Sequence, residues 1–349
     1  MNPQRLYQWV KKTSKSWTGL TRHAQKNIEV FSRGVVLAES SHVRQIASHV
    51  PGLADSQRRR LQRFLKRELP MEVFFAQWTR SVVGEMKRRR TLVMIVDETK
   101  LKDELGVMVV GLVYHGRCIP LAWAVYRAND AEAYPAEGQV ELILRLVGYI
   151  QAGLAPHTPV RLLADRGLGT SPRLMQGLMD RGWTFLFRVT RQSKIILPDG
   201  TACTFYDQVP APGGSYAAAG LVFKKRGRIP AYVRVLWGTS AQERWSLVTN
   251  DPTLTGWEYA ERMWIEEAFR DLKSHGWHIE DALFDDPARM TRLWILLVVA
   301  YTWMLFIGQA VETVGLSLAP KRRPDGSYVR RWSLFQEGRR FLLSAAPPL

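Results

Sequence analysis

At Thr91 the chain changes texture from helical to β, and the order of elements beyond that point restricts the fold more than any other feature. TLVMIVDET is a continuous apolar run, the mark of a strand covered on both faces. LGVMVVGLVYHG and RCIPLAWAVYR read as two further strands, joined by a tight hairpin turn at His115-Gly116. Helical periodicity returns in VELILRLVGYIQAGL. VRLLAD is then a short buried strand, PRLMQGLMDRG a helix and TFLFRVT another strand. Three antiparallel strands, helix, strand, helix, strand predict an α/β core with a mixed sheet. Residues 190–250 break this alternation with Pro/Gly-rich stretches and short strands such as AYVRVLWG and RWSLVTN, so a β-rich insertion is expected there.

Charge is placed unevenly around this core. Residues 1–90 carry 19 Lys/Arg against 6 Asp/Glu, residues 320–349 carry 7 against 2, and the stretch between is nearly neutral, within a net charge of +17. Two basic ends flanking a neutral body point to a polyanion, most simply nucleic acid, although a basic surface also serves solubility. Residues 1–90 have helical periodicity punctuated by Pro51-Gly52 and Pro70. One of these helices is crowded by Arg58, Arg59, Arg60, Arg63, Lys66 and Arg67, and Lys87-Arg88-Arg89-Arg90 marks a boundary.

Cys118 and Cys203 are the two cysteines. That is too few for a disulfide framework or a thiolate metal site, and a reducing, cytoplasmic setting is expected. The N-terminal segment has no continuous apolar run of the secretory type. Leu293 to Ile307 reads LWILLVVAYTWMLFI, close to the minimum for a membrane span. A single such segment in so charged a chain is expected to be a helix buried on all sides rather than a membrane anchor.

Tyr259, Arg262, Glu266 and Lys273 have the spacing Y-x2-R-x3-E-x6-K. On an α-helix, at roughly 100° per residue, all four fall within about 60° of arc. Trp264, Ile265, Ala268, Phe269 and Leu272 fall on the adjoining face, which is expected to be buried. A carboxylate flanked by cations suits holding a metal near a phosphate, and an amphipathic helix with a solvated face has the same spacing. Glu267 is turned about 100° off the stripe.

Two aspartates are expected at strand ends: Asp97 closes IVDET and Asp165 closes LLADRG, with Arg166-Gly167 allowing a sharp turn. From there a carboxylate can project from a rigid sheet into a cleft. Taken singly, each is also an ordinary turn or cap residue. Together with Glu266 they form a set of three hard oxygen donors that suits Mg2+ or Mn2+ rather than zinc. Two such ions about 4 Å apart can activate water and stabilise a leaving oxygen in phosphodiester cleavage. The chain has no G-x-x-x-x-G-K-[ST] loop, and no nucleotide cofactor is expected.

VDET around Asp97, LADRG around Asp165 and YAERMWIEEAFRDLK around Glu266 together resemble the DDE transposases of bacterial insertion sequences, in particular the insertion-sequence-four type with the Tyr-Arg-Glu-Lys signature. The resemblance covers residues 91–310 well and the two ends weakly. It implies an RNase H-like core interrupted by a β-rich insertion, with Asp97, Asp165 and Glu266 as the catalytic, metal-binding triad. It implies DNA-backbone contacts from Arg262 and Lys273, with Tyr259 on the same surface. Trp245, in RWSLVTN, holds the place of a tryptophan that stacks on a flipped-out base in relatives; a tryptophan packed within the insertion is the equal alternative.

Residues 1–90 are expected to form a helical, basic domain binding DNA ends, with Arg58, Arg59 and Arg63 as candidate contacts. Residues 91–189 and 251–315 form the two parts of the core, 190–250 the insertion and 316–349 a basic tail. The expected activity is metal-dependent cleavage at terminal inverted repeats and joining to target DNA by cut-and-paste, with or without a hairpin. The expected partner is double-stranded DNA, bound by a dimer in the bacterial nucleoid. Some relatives carry a longer C-terminal helical region for pairing protomers, where this chain has only about forty residues after its apolar helix. The rival readings are a metal-dependent nuclease of the same fold without strand transfer, a DNA-binding regulator descended from a transposase, and a single-span membrane protein.

Overall fold

The computed structural model describes residues 13, 17–86, 91–130, 132, 134–223 and 227–344. The basic boundary at 87–90 and most of the N-terminal segment lie outside these residues. In chain order come helices α1 (Arg22–Ala38), α2 (Val43–Ser48), α3 (Ala54–Lys66) and α4 (Met71–Gly84), then strands β1 (Leu92–Leu101), β2 (Leu105–Tyr114) and β3 (Arg117–Arg127). Next are α5 (Gly138–Gln151), β4 (Val160–Ala164), α6 (Pro172–Met179) and β5 (Thr184–Arg188). Five more strands are β6 (Lys194–Ile196), β7 (Ala202–Thr204), β8 (Ser215–Val222), β9 (Ile229–Leu236) and β10 (Trp245–Thr249). A 3-10 segment (Trp257–Met263), α7 (Trp264–Leu272), α8 (Pro287–Thr313), a short β11–β12 pair (Lys321–Arg322, Tyr328–Val329) and α9 (Leu334–Ser344) complete the chain.

These elements fall into two compact units. One contains residues 1–81, 101–105 and 268–349, the other 82–100 and 106–267.

The first unit is helical. α8 begins on a strong start signal: Asp286 accepts hydrogen bonds from Ala288 N and Arg289 N, and Pro287 occupies the first turn. It is long and apolar enough to cross a membrane, yet 83% of its most apolar window is buried within the structure. It packs against α1, α3 and α9, so it serves as the core helix of this unit. On α3, Leu61, Phe64 and Leu65 face inward. Arg60 also turns in, its Nε 2.8 Å from Asn27 Oδ1 and its guanidinium over the Phe31 ring. Arg59, Arg63 and Lys66, spaced four and three residues apart, share the exposed face.

The second unit is mixed α/β, consistent with an RNase H-like core. Its sheet has ten strands in the order β3-β2-β1-β4-β5-β10-β9-β8-β6-β7. β1–β4 and β4–β5 are parallel, whereas β5–β10, β10–β9, β9–β8, β8–β6 and β6–β7 are antiparallel. The apolar run of β2 is buried at every residue, as a strand covered on both faces must be. His115 and Gly116 both have positive φ (47° and 82°), the backbone of a two-residue turn that matches strand twist. α5 packs against β3 and α6, and α6 against β5. The five strands of 190–250 do not make a sheet of their own: β10 returns to pair with β5, and the other four extend the core sheet outward from it. Cys118 and Cys203 are both free thiols.

Candidate active site

Sheet register brings the first two carboxylates together. β1 and β4 run parallel, and their last paired positions are Val96 and Ala164. Asp97 and Asp165 directly follow these positions in sequence, so both emerge at the same level of adjacent strands. Asp97 does not end its strand as expected from sequence. It is the sixth of ten residues in β1, which continues to Leu101. Asp165 does leave the sheet. Its Oδ1 accepts from Gly167 N (3.0 Å) and Leu168 N (3.1 Å), an Asx-type turn that fixes the carboxylate. Gly169 closes this loop against Asp165 O; a Cβ there would lie 2.4 Å from Arg188 O.

Glu266 comes from the first turn of α7. The single α-helix expected to carry the whole Y-x2-R-x3-E-x6-K stripe is not formed. Tyr259 and Arg262 lie on the 3-10 segment, Glu266 on α7, and Lys273 just beyond it. The tighter winding starts where Gly256 takes φ 100° and its N–H donates to Glu258 Oε2 at 2.8 Å. With three residues per turn, Tyr259 and Arg262 eclipse each other; four α-helical residues then bring Glu266 back to nearly the same side. Ile265, Ala268, Phe269 and Leu272 are buried as expected, while Trp264 is only half-buried. Glu267 points elsewhere, 3.6 Å from Arg117.

One guanidinium joins the three acids. Arg262 Nη2 is 3.0 Å from Asp97 Oδ2 and 3.7 Å from Asp165 Oδ2, and Nη1 bonds Glu266 Oε1. Among the described residues no three acidic, His or Cys groups close up into a ready metal cage; these carboxylates meet at Arg262 instead. Burial pushes the Asp97 carboxyl up to about 6, against the pull of Arg262 and with the help of the neighbouring Asp165 and Glu266 charges. The carboxylate oxygens gathered around Arg262 are the hard donors that a divalent metal prefers.

Tyr259 is 5% exposed, and burial raises its phenol well above the ordinary range, so it stays neutral. Its ring packs edge-on against Trp245, with centroids 5.3 Å apart, and Trp257 lies 6.1 Å from Trp245 on another side. Trp245 starts β10 and lines a cavity of about 180 Å3 with Asp165, Arg166, Arg188, Tyr259, Arg262, Met263 and Glu266. This tryptophan is therefore packed against two rings and also half-buried on the wall of the cavity. Sequence reasoning missed Arg188 and Met263. Arg188 ends an apolar strand, a place where an arginine has few structural reasons to be.

Two groups of candidates belong to the other unit. Lys273 belongs to the helical unit, where its Nζ lies 3.6 Å from Glu280. Arg58, Arg59 and Arg63 are on α3 of that same unit, with Arg58 Nε 3.3 Å from Asp55.

No curated protein matches the chain. A family model, however, described as the transposase DDE domain, matches residues 108–303, more than half of the sequence. The matched stretch includes Asp165, Arg262 and Glu266 and begins after Asp97. On that match, together with its mixed sheet and its cleft of three carboxylates, the chain belongs to the DDE-domain transposases.

Proposed function

We propose that this protein cuts DNA at the terminal inverted repeats of its own insertion sequence and joins the freed ends to target DNA, with Asp97, Asp165 and Glu266 as the catalytic carboxylates. The observation that carries the reading is the meeting of these three side chains, distant in sequence, at one cation. The same three would hold Mg2+ or Mn2+. Two ions bound there would supply the Lewis acidity that activates the attacking oxygen and steadies the leaving one.

The protein's own groups have separable tasks in this reading. Asp97 on the sheet and Asp165 in the turn that leaves it hold their oxygens in place, and Glu266 arrives from the first turn of a helix. Once the carboxylates have other cations, Arg262 is free to meet non-bridging oxygens of the scissile phosphate. Tyr259 packs against Trp245, whose cavity-lining surface takes a base swung out of the duplex. That favours a cut-and-paste route through a hairpin. Lys273 and the exposed Arg59, Arg63 and Lys66 face of α3 contact backbone phosphate, Arg58 flanking them, and residues 1–90 grip the inverted repeat. The Tyr-Arg-Glu-Lys spacing supports placing the enzyme in the insertion-sequence-four type. Joining two ends calls for a dimer on DNA.

A labelled duplex carrying the repeats of the surrounding element, incubated with and without Mg2+, tests this directly. Metal-dependent nicked, hairpinned and joined products are expected. Cleavage with no joined product in any divalent metal would replace the transposase reading with that of a nuclease.

A further inference from the structure

Beside the acidic cleft three arginines share one carboxylate. Glu243 Oε2 lies 3.1 Å from Arg191 Nη2 and 3.8 Å from Arg166 Nη1, while Oε1 bonds Arg188 Nη2. One negative charge faces three positive ones, which leaves a local excess of two. Arg191 and Arg166 remain 60% and 44% exposed. Arg166 comes directly after Asp165, Arg188 lines the same cavity as Trp245, and Glu243 precedes Trp245 by two residues. The backbone at this point is pinned: Arg244 stacks over Tyr206 (4.1 Å) and Trp237 (4.7 Å), and its Nη1 donates to Tyr206 O. A rotation of the Glu243 side chain alone therefore releases all three guanidinium groups from their shared carboxylate, Arg188 keeping its hydrogen bond to Arg244 O (3.5 Å).

Resting on the proposed transposase function, we infer that Arg166, Arg188 and Arg191 form a phosphodiester-binding clamp for the strand next to the cleft, and that Glu243 fills it in the free protein. A carboxylate and a phosphodiester both present a pair of anionic oxygens to planar guanidinium forks, so one can replace the other. The clamp's position places the bound phosphate in the strand whose base lies against Trp245. Glu243 would then act against non-specific DNA, because any backbone must first displace it.

The test is binding of a labelled duplex to the full chain in EDTA, where no cleavage occurs, over a salt series. Glu243→Gln is expected to bind at least about fivefold tighter than the unaltered protein. Glu243→Asp, too short to span all three partners, is expected to gain by a smaller factor, and it carries the test if thermal unfolding shows Glu243→Gln to be misfolded. The Arg166→Gln/Arg191→Gln double variant is expected to bind more weakly, with a salt slope shallower by up to about 0.9, the share of the one phosphate the clamp holds. In that background the gain from Glu243→Gln is expected to vanish. No gain from either Glu243 variant, or the same gain without the two arginines, would overturn the clamp. If the unaltered protein cuts and joins ends in Mg2+ yet this cycle is additive, the clamp alone is wrong. Absence of both DNA binding and cleavage would remove the functional reading beneath it.

Discussion

Arg262 and Asp97 form a buried ion pair, Nη2 to Oδ2 at 3.0 Å, with about a tenth of each side chain exposed. The same guanidinium also contacts Asp165 and Glu266. Removing one partner of such a pair leaves a buried charge unmatched, at a cost of about 3–5 kcal/mol. Asp165 and Glu266 are more open to water, so Arg262→Gln is expected near the lower end of that range. Added Mg2+ should recover more of the melting temperature in this variant than in the unaltered protein. Thermal unfolding in EDTA and in Mg2+ measures both.

The contribution of Asp97 to the stability of the metal-free protein is expected to fall as the pH rises from 4 to 6. Asp97 is raised from 3.8 to about 6 in the folded state, chiefly by burial. In that window the folded protein keeps a proton that the unfolded chain has released, so raising the pH favours unfolding. At about 1.4 kcal/mol per pH unit the loss is at most about 3 kcal/mol. Urea midpoints across this range in EDTA should show the decline, and Asp97→Asn should flatten it.

Each carboxylate is expected to be indispensable for cutting and dispensable for binding. Asp97→Asn, Asp165→Asn and Glu266→Ala should each lower cleavage by more than about a thousandfold, the equivalent of about 4 kcal/mol of barrier. Their affinity for an end duplex should stay within about threefold. A Glu266→Ala protein that still cuts a correct end in Mg2+ would refute the assignment, while Glu267→Ala should retain cleavage.

At Trp245 the ring that lines the cavity is the feature to remove. Stacking on one unpaired base is worth about 1–3 kcal/mol, so Trp245→Ala should weaken retention of a flipped base by about 5-fold to 150-fold. A 2-aminopurine placed at the element boundary would report this as loss of quenching in the complex. Unchanged quenching would assign Trp245 to packing against Tyr259 and Trp257 alone.

Gly169→Ala is expected to disturb the site without touching any charged group. Its Cβ would sit 2.4 Å from Arg188 O and 2.7 Å from Asp165 O, both backbone atoms that cannot swing away. Overpacking of this kind costs about 1–3 kcal/mol. Both the melting temperature and the cleavage rate should drop, with a larger proportional effect on rate because the Asp165 loop must shift.

Local pattern sufficed for much of this molecule. Apolar runs and their period marked the α/β strands and helices, because burial of β1, β2 and α8 on all sides writes itself into consecutive residues. Fixed spacing singled out Tyr259, Arg262 and Glu266, and flanking motifs singled out Asp97 and Asp165. Tertiary structure alone decided what these residues do to one another. The Val96–Ala164 register levels the two aspartates, a 3-10 turn replaces the expected helix and aims Arg262 at all three acids, and β10 joins β5 to carry Trp245 and Glu243 to the cleft. None of this is written in any one segment, because strand register and helix winding answer to partners supplied by distant parts of the chain.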